Sequence, residues 1–176
     1  TVVYHLRGGE AVRVLEWAKQ GITETAGRVI RYLSEHPEIR KVGIDDTGVG
    51  GGLTDILRQE ASGSVVVVPV NFGASSRHPE KYANLKAEIF DLLAEDIRSN
   101  MHLLDDDATT AQLTNIRYGF TSRGQKKIES KDEMKRRGLE SPDRADALAI
   151  ANYMRHETDA VRIVAPVAMS RTSLWR

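Results

Sequence analysis

The chain contains no cysteine among its 176 residues. Disulfides and thiolate metal sites are therefore excluded, and carboxylate is the natural ligand, which suits hard cations such as Mg²⁺ or Mn²⁺. It also has no apolar run near the roughly 20 residues that span a bilayer, and no secretory-type charged and apolar stretch opens it. Net charge is missing as well. Lys and Arg total 25 and Asp and Glu total 25, for a formal charge of +0. That balance argues against a protein that coats nucleic acid generically. It leaves room for a nuclease, because an acidic metal cluster and a basic rim cancel in the sum. Internal repeats and low-complexity segments are absent too, and the length suits one domain with a real core.

What is present centres on acids. Asp143 and Asp146 stand three residues apart in the stretch Ser141 to Ala151. Ser141 reads as an N-cap and Pro142 as the first helical residue. On a helix, positions i and i+3 share a face about 5–6 Å apart. The rest of the segment is small and apolar, which predicts a buried helix. Two carboxylates on such a helix repel each other and lose hydration unless a cation lies between them. The alternative for Asp143 is an acid that simply favours the positive helix end. Asp146, one turn further in, fits the metal reading better.

A second acidic element follows a predicted strand over Lys41 to Ile44. Asp45 and Asp46 lie at its tip, before the glycine-rich run Gly48 to Gly52 and a helix over Leu53 to Glu60. Ligands in open α/β sheets collect at the carboxyl ends of strands. A phosphate cradle is the other reading of the glycines, but the Lys-Ser/Thr of a nucleotide loop is missing. A tight turn packing helix on strand accounts for them better. Asp45 and Asp46 alternate to opposite faces if the strand continues that far, so the residues alone leave either as the ligand.

The pattern along the rest of the chain predicts a hairpin (Thr1 to Leu6 and Ala11 to Trp17), then strand–helix units. Helices are expected over Thr23 to His36, Lys86 to Glu95 and Asp107 to Asn115, and a buried parallel strand over Val65 to Val70. Tyr118 to Thr121 and Gln125 to Ser130 predict a second hairpin, closed around Arg123 and Gly124. Asn71 to Pro79 reads as a mobile loop, and Trp17 and Phe90 as core. His5, His36, His102 and His156 are scattered without metal-ligand spacing. The fold class is therefore α/β, a mixed sheet with helices on both faces. Residues 1–156 form the domain and 157–176 a tail.

Four segments taken in order resemble the nuclease domain of tailed-phage large terminase subunits: Ile44 to Gly52, Tyr82 to Glu88, Glu129 to Gly138, and Ser141 to Ala151. The resemblance spans Thr1 to about His156. It implies a ribonuclease H-like fold, similar to Holliday-junction resolvases, with an added β-hairpin. It implies an endonuclease that cuts double-stranded concatemeric DNA in the host cytoplasm. Two Mg²⁺ or Mn²⁺ ions would be held by Asp45, Asp146 and Asp143. Partners implied are double-stranded DNA, a packaging ATPase domain upstream, the portal and the small terminase, with no membrane. In that family the first catalytic aspartate lies on a strand preceding the segment like Thr1 to Leu6, so this chain is expected to lack it. Arg123, Lys126 and Lys127 on the second hairpin, with Lys131 after it, are candidate DNA contacts; the competing reading is solubilising surface charge. Other function classes compatible with the residues are a different ribonuclease H-like nuclease (a junction resolvase or transposase core) and a non-catalytic module that binds DNA or capsid.

Overall fold

A computed structural model describes residues 1–47, 50–61, 63 and 65–157; the predicted tail lies almost wholly outside these described residues. The chain opens with β1 (Val2–Arg7) and β2 (Glu10–Glu16), an antiparallel hairpin with a register shift between His5 and Leu6. Helix α1 (Ile22–Glu35) leads to β3 (Lys41–Asp45), then to α2 (Gly50–Glu60) and β4 (Val66–Val70). Strands β3 and β4 pair in parallel through this helical crossover. Helices α3 (Leu85–Ser99) and α4 (Asp107–Asn115) follow. The second hairpin, β5 (Tyr118–Phe120) and β6 (Lys126–Ile128), precedes the short α5 (Lys131–Arg136) and the closing α6 (Asp143–His156).

Both faces of the strands are covered, as the period-2 pattern requires. Tyr4 and Val70 pack with Ile89, Phe90 and Leu93 of α3 and with Leu148 and Ile150 of α6. On the opposite face Ile44 and Val67 pack with Ala26 and Val29 of α1 and Leu57 of α2. The expected mixed sheet departs from expectation in one respect. The β1–β2 and β3–β4 ladders are not hydrogen-bonded to each other. The remaining edges of β1 and β3 both line a cavity of about 940 Å³, and α6 packs across both strands.

Gly43 makes that crossing possible. A Cβ there would lie 2.5 Å from Ile150 Cγ2 and 2.9 Å from Met154 Cγ, so only glycine lets α6 approach β3 so closely. Several sequence expectations shift at their ends. Helix α6 begins at Asp143 with Pro142 as its N-cap, because the ψ of 53° at Pro142 is not helical, and Ser141 Oγ instead donates to Asp143 Oδ1 at 2.5 Å. Helix α1 starts at Ile22, one residue before the expected Thr23, with Gly21 as its cap. The run at Val65 to Val70 is not buried throughout. Val66 is 44% exposed and Pro69 is exposed, consistent with an edge strand that tolerates proline. Trp17 is half-buried, its Nε1 donating to Thr25 Oγ1 at 3.3 Å, whereas Phe90 is core. The 71–79 loop, expected to be mobile, is tethered: Glu88 Oε2 accepts from Ser76 Oγ at 2.7 Å and from the Arg77 N–H at 2.8 Å.

Helix α3 is fastened to α6 by Asp96. Its Oδ2 accepts from Asn152 Nδ2 at 2.6 Å and pairs with His156 Nε2 at 2.7 Å, and Asn152 is fully buried. Burial pulls the Asp96 pKa up, but hydrogen bonds from Asn152 and His156 and the charge of Arg155 outweigh it and hold the carboxyl below its usual range. A depressed carboxylate contributes stability above its unfolded pKa of about 4, and that contribution is lost as pH falls through the lower folded value. Asp96→Asn should therefore cost about 2 kcal/mol at pH 7. The difference between the two proteins should close as pH falls below about 4. Urea midpoints at pH 7 and pH 3 measure this; an equal gap at both would refute the assignment.

Candidate metal centre

Alternation along β3 decides which strand-tip acid faces α6. Ile44 packs toward α1 and α2, while Gly43 lies against Ile150 and Met154, so Asp45 shares the α6 side with Gly43. Asp45 lines the cavity beside β3 together with Lys131, Asp143 and Asp146, and its Oδ1 accepts from the Thr47 N–H at 3.0 Å. Asp46 is not among the lining residues. Its N–H continues the ladder to Val70 O at 2.9 Å.

Asp146 is the most constrained of the acids. It is 4% exposed on α6, and neither carboxylate oxygen accepts a hydrogen bond. Lys86 Nζ lies 3.1 Å from Oδ1 and Lys131 Nζ 3.3 Å from Oδ2, close enough for charge attraction but not aligned for hydrogen bonding. A buried carboxylate without hydrogen bonds is costly, and it has the coordination capacity a cation would use. Oxygen donors of this kind suit hard divalent ions. Asp143 is different: its side chain is 54% exposed, 4.0 Å from Lys131 Nζ. Asp45, Asp143 and Asp146 thus face one cavity. They do not form the tight ligand set found elsewhere in the chain; among the described residues, that set is His5, His36 and Glu38.

Lys86 escaped the sequence reading as a site residue. Its side chain is 12% exposed, and Nζ sits 5.2 Å from the Phe72 ring centroid and 5.3 Å from that of Phe90. The signal was available, because Asn84 caps α3 and places Lys86 in the first turn. A cation there opposes the helix dipole and needs an acidic partner to be stable.

The basic hairpin divides into two kinds of residue. Arg123 and Lys127 are exposed. Lys126 differs from expectation: Nζ pairs with Asp91 of α3 and sits 5.3 Å from the Tyr118 ring centroid, and its backbone donates to Lys81 O at 2.7 Å. It anchors the hairpin instead of facing solvent. Tyr118 and Phe120 are 64% and 63% exposed on the same hairpin.

No protein-family model matches the chain, and no curated protein matches it. Solved structures do. The nuclease domain of the large terminase subunit gp2 of bacterial virus Sf6 superposes with a TM-score of 0.75 at 21% identity, covering 85% of this chain and 80% of that one. A variant of that domain, solved with manganese, matches with a TM-score of 0.74 at 21% identity, covering 85% and 81%. The large terminase nuclease of thermophilic phage G20c, with bound cobalt, matches with a TM-score of 0.60 at 17% identity, covering 83% and 69%. The chain has the ribonuclease H-like fold of terminase nuclease domains.

The lysine pair gives a test of the centre. Lys86→Met leaves Asp146 with Lys131 as its one ion-pair partner among the described residues, and should cost about 2 kcal/mol without metal. Millimolar Mn²⁺ should raise the melting temperature of both the parent and this variant, and the variant more. Asp146→Asn should abolish the Mn²⁺ response. An unchanged melting temperature in the parent, or a full response in Asp146→Asn, would rule the site out.

Proposed function

We propose that this chain is the nuclease of a viral DNA-packaging terminase: a divalent-metal-dependent endonuclease that cuts double-stranded DNA. One observation carries the reading. Asp146 is buried without a hydrogen bond on the cavity that Asp45 and Asp143 also line. The terminase-nuclease fold, and the metals solved with its relatives, support the same reading.

Asp45 and Asp146 would hold Mg²⁺ or Mn²⁺, with Asp143 reaching one ion directly or through water. When bound, two ions supply an activated water and stabilise the leaving oxygen, the two-metal route to phosphodiester hydrolysis. The protein's own contribution is placement. Asp45 is fixed at the strand tip by its turn to Thr47, and Asp146 by a helix whose Ala145, Leu148 and Ala149 are fully buried. Lys131, half-exposed beside Asp143 and Asp146, would neutralise charge on a scissile phosphate. The upstream ATPase, portal and small terminase are partners under this reading. A resolvase or transposase core would cut branched DNA in preference to linear duplex.

Nicking of supercoiled plasmid in Mn²⁺ tests the activity, with the chain alone and with a version extended by an upstream strand. In whichever version cuts, Asp45→Ala and Asp146→Ala should each remove nearly all cleavage while leaving the circular dichroism spectrum intact, and Asp143→Ala should leave a residue. Full cleavage by the Asp146 variant would falsify the assignment.

DNA engagement is separable from chemistry. With zero net charge, duplex affinity must come from a local basic surface, and each phosphate contact adds roughly 0.9 to the slope of log K against log salt. Arg123→Ala with Lys127→Ala should flatten that slope by about 2 and weaken all sequences alike. Lys126 is left intact because it holds the hairpin to α3. An unaltered slope would place the DNA path elsewhere, with Arg77 and Lys81 the next residues to examine.

A further inference from the structure

The histidines that look scattered in sequence do not stay scattered in the fold. His5 on β1, His36 at the C-cap of α1 and Glu38 just beyond each offer one donor atom, and these atoms all lie within 4.8 Å of one another. The imidazole rings of His5 and His36 have centroids 5.3 Å apart. His5 and Glu38 line the same cavity as Asp45, Asp143 and Asp146, but lie toward the opposite end of β3. Glu38 precedes β3 and Asp45 ends it, and a five-residue strand advances about 13 Å between its ends.

We infer that His5, His36 and Glu38 form a Zn²⁺ site that clasps the end of α1 to β1. Two imidazoles and one carboxylate, with water as the fourth ligand, are a donor set that zinc accepts and that Mg²⁺ does not favour. His5 is 6% exposed, and its Nδ1 is held 3.0 Å from Tyr32 Oη, which fixes the ring as outer partners of metal-binding histidines do. The location is electrostatically suited: the last turn of α1 contains no basic residue, so a cation there faces the negative end of the helix. Glu38 Oε1 pairs with His36 Nδ1 at 3.2 Å, a contact the ion would replace, and Arg7 is the competing cation. Its Nη2 lies 3.4 Å from Glu38 Oε1, with both side chains largely exposed (64% and 42%), so it can swing away. Donors around a tetrahedral ion with bonds of about 2.1 Å stand roughly 3.4 Å apart. Small movements of the exposed Glu38 side chain and of His36 bring them to that spacing.

Calorimetric titration of the full chain with Zn²⁺ alone, in a non-chelating buffer, tests the site. Its readout is stoichiometry and melting temperature, independent of any nuclease activity. The parent and Asp146→Asn should both bind one Zn²⁺ at this site and gain thermal stability. His36→Ala and Glu38→Gln, which alter groups near the surface and so fold, should lose that site. Tyr32→Phe should weaken it by about ten- to a hundredfold. Zn²⁺ binding by His36→Ala or Glu38→Gln that matches the parent, or none retained in a folded Asp146→Asn protein, overturns the inference.

Discussion

Asp146 sets the terms on which the rest of this molecule is arranged. A carboxylate that is 4% exposed and accepts no hydrogen bond would ordinarily be expelled to the surface or neutralised. Here it is kept in place by two ammonium groups from different elements, Lys86 of α3 and Lys131 of α5. Each lysine in turn needs its own setting. Lys86 lies over two phenylalanine rings, and Lys131 sits within a Ser130–Glu133 capping box that fixes where α5 begins. The charge that a metal would use is thus balanced provisionally, by groups that can give way.

Helix α6 is what brings this acid to the strands. It packs against β1, β3 and α3, and it spans the two ladders that do not pair with each other. The missing side chain of Gly43 allows Ile150 and Met154 of α6 to approach β3 closely, so the position of Asp146 relative to Asp45 follows from packing and not from a direct bond between them. The Asp96–Asn152 bond fastens the far half of the helix to α3. Together these contacts convert two distant sequence segments into one acidic cavity wall.

How much of this was legible depended on the range of the interaction. The i, i+3 spacing of Asp143 and Asp146, the strand-tip position of Asp45 and the α4 boundaries are local, and each follows from periodicity and capping. The unequal burial of Asp143 and Asp146 was partly visible, since one lies at the helix start and the other a turn deeper. The anchoring of Lys126 was not legible because its partner, Asp91, lies 35 residues away, and nothing local distinguishes it from Lys127. The His5–His36 pairing was invisible for the same reason. A hairpin and a helix separate the two residues, and only the return of α1 across β1 brings them together.

The two candidate metal sites differ in donor chemistry, and that difference is what would let both operate in one chain. The cavity beside β3 offers carboxylate oxygens with lysines as rivals, a setting that rewards hard ions able to outbid an ammonium group by charge. The β1–α1 corner offers imidazole nitrogen, for which hard ions compete poorly and zinc competes well. With cysteine absent, no thiolate is present to draw zinc elsewhere. Selectivity between the sites then rests on ligand type rather than on cavity shape. A zinc clasp would therefore stiffen the α1 face while leaving the carboxylates to Mg²⁺ or Mn²⁺.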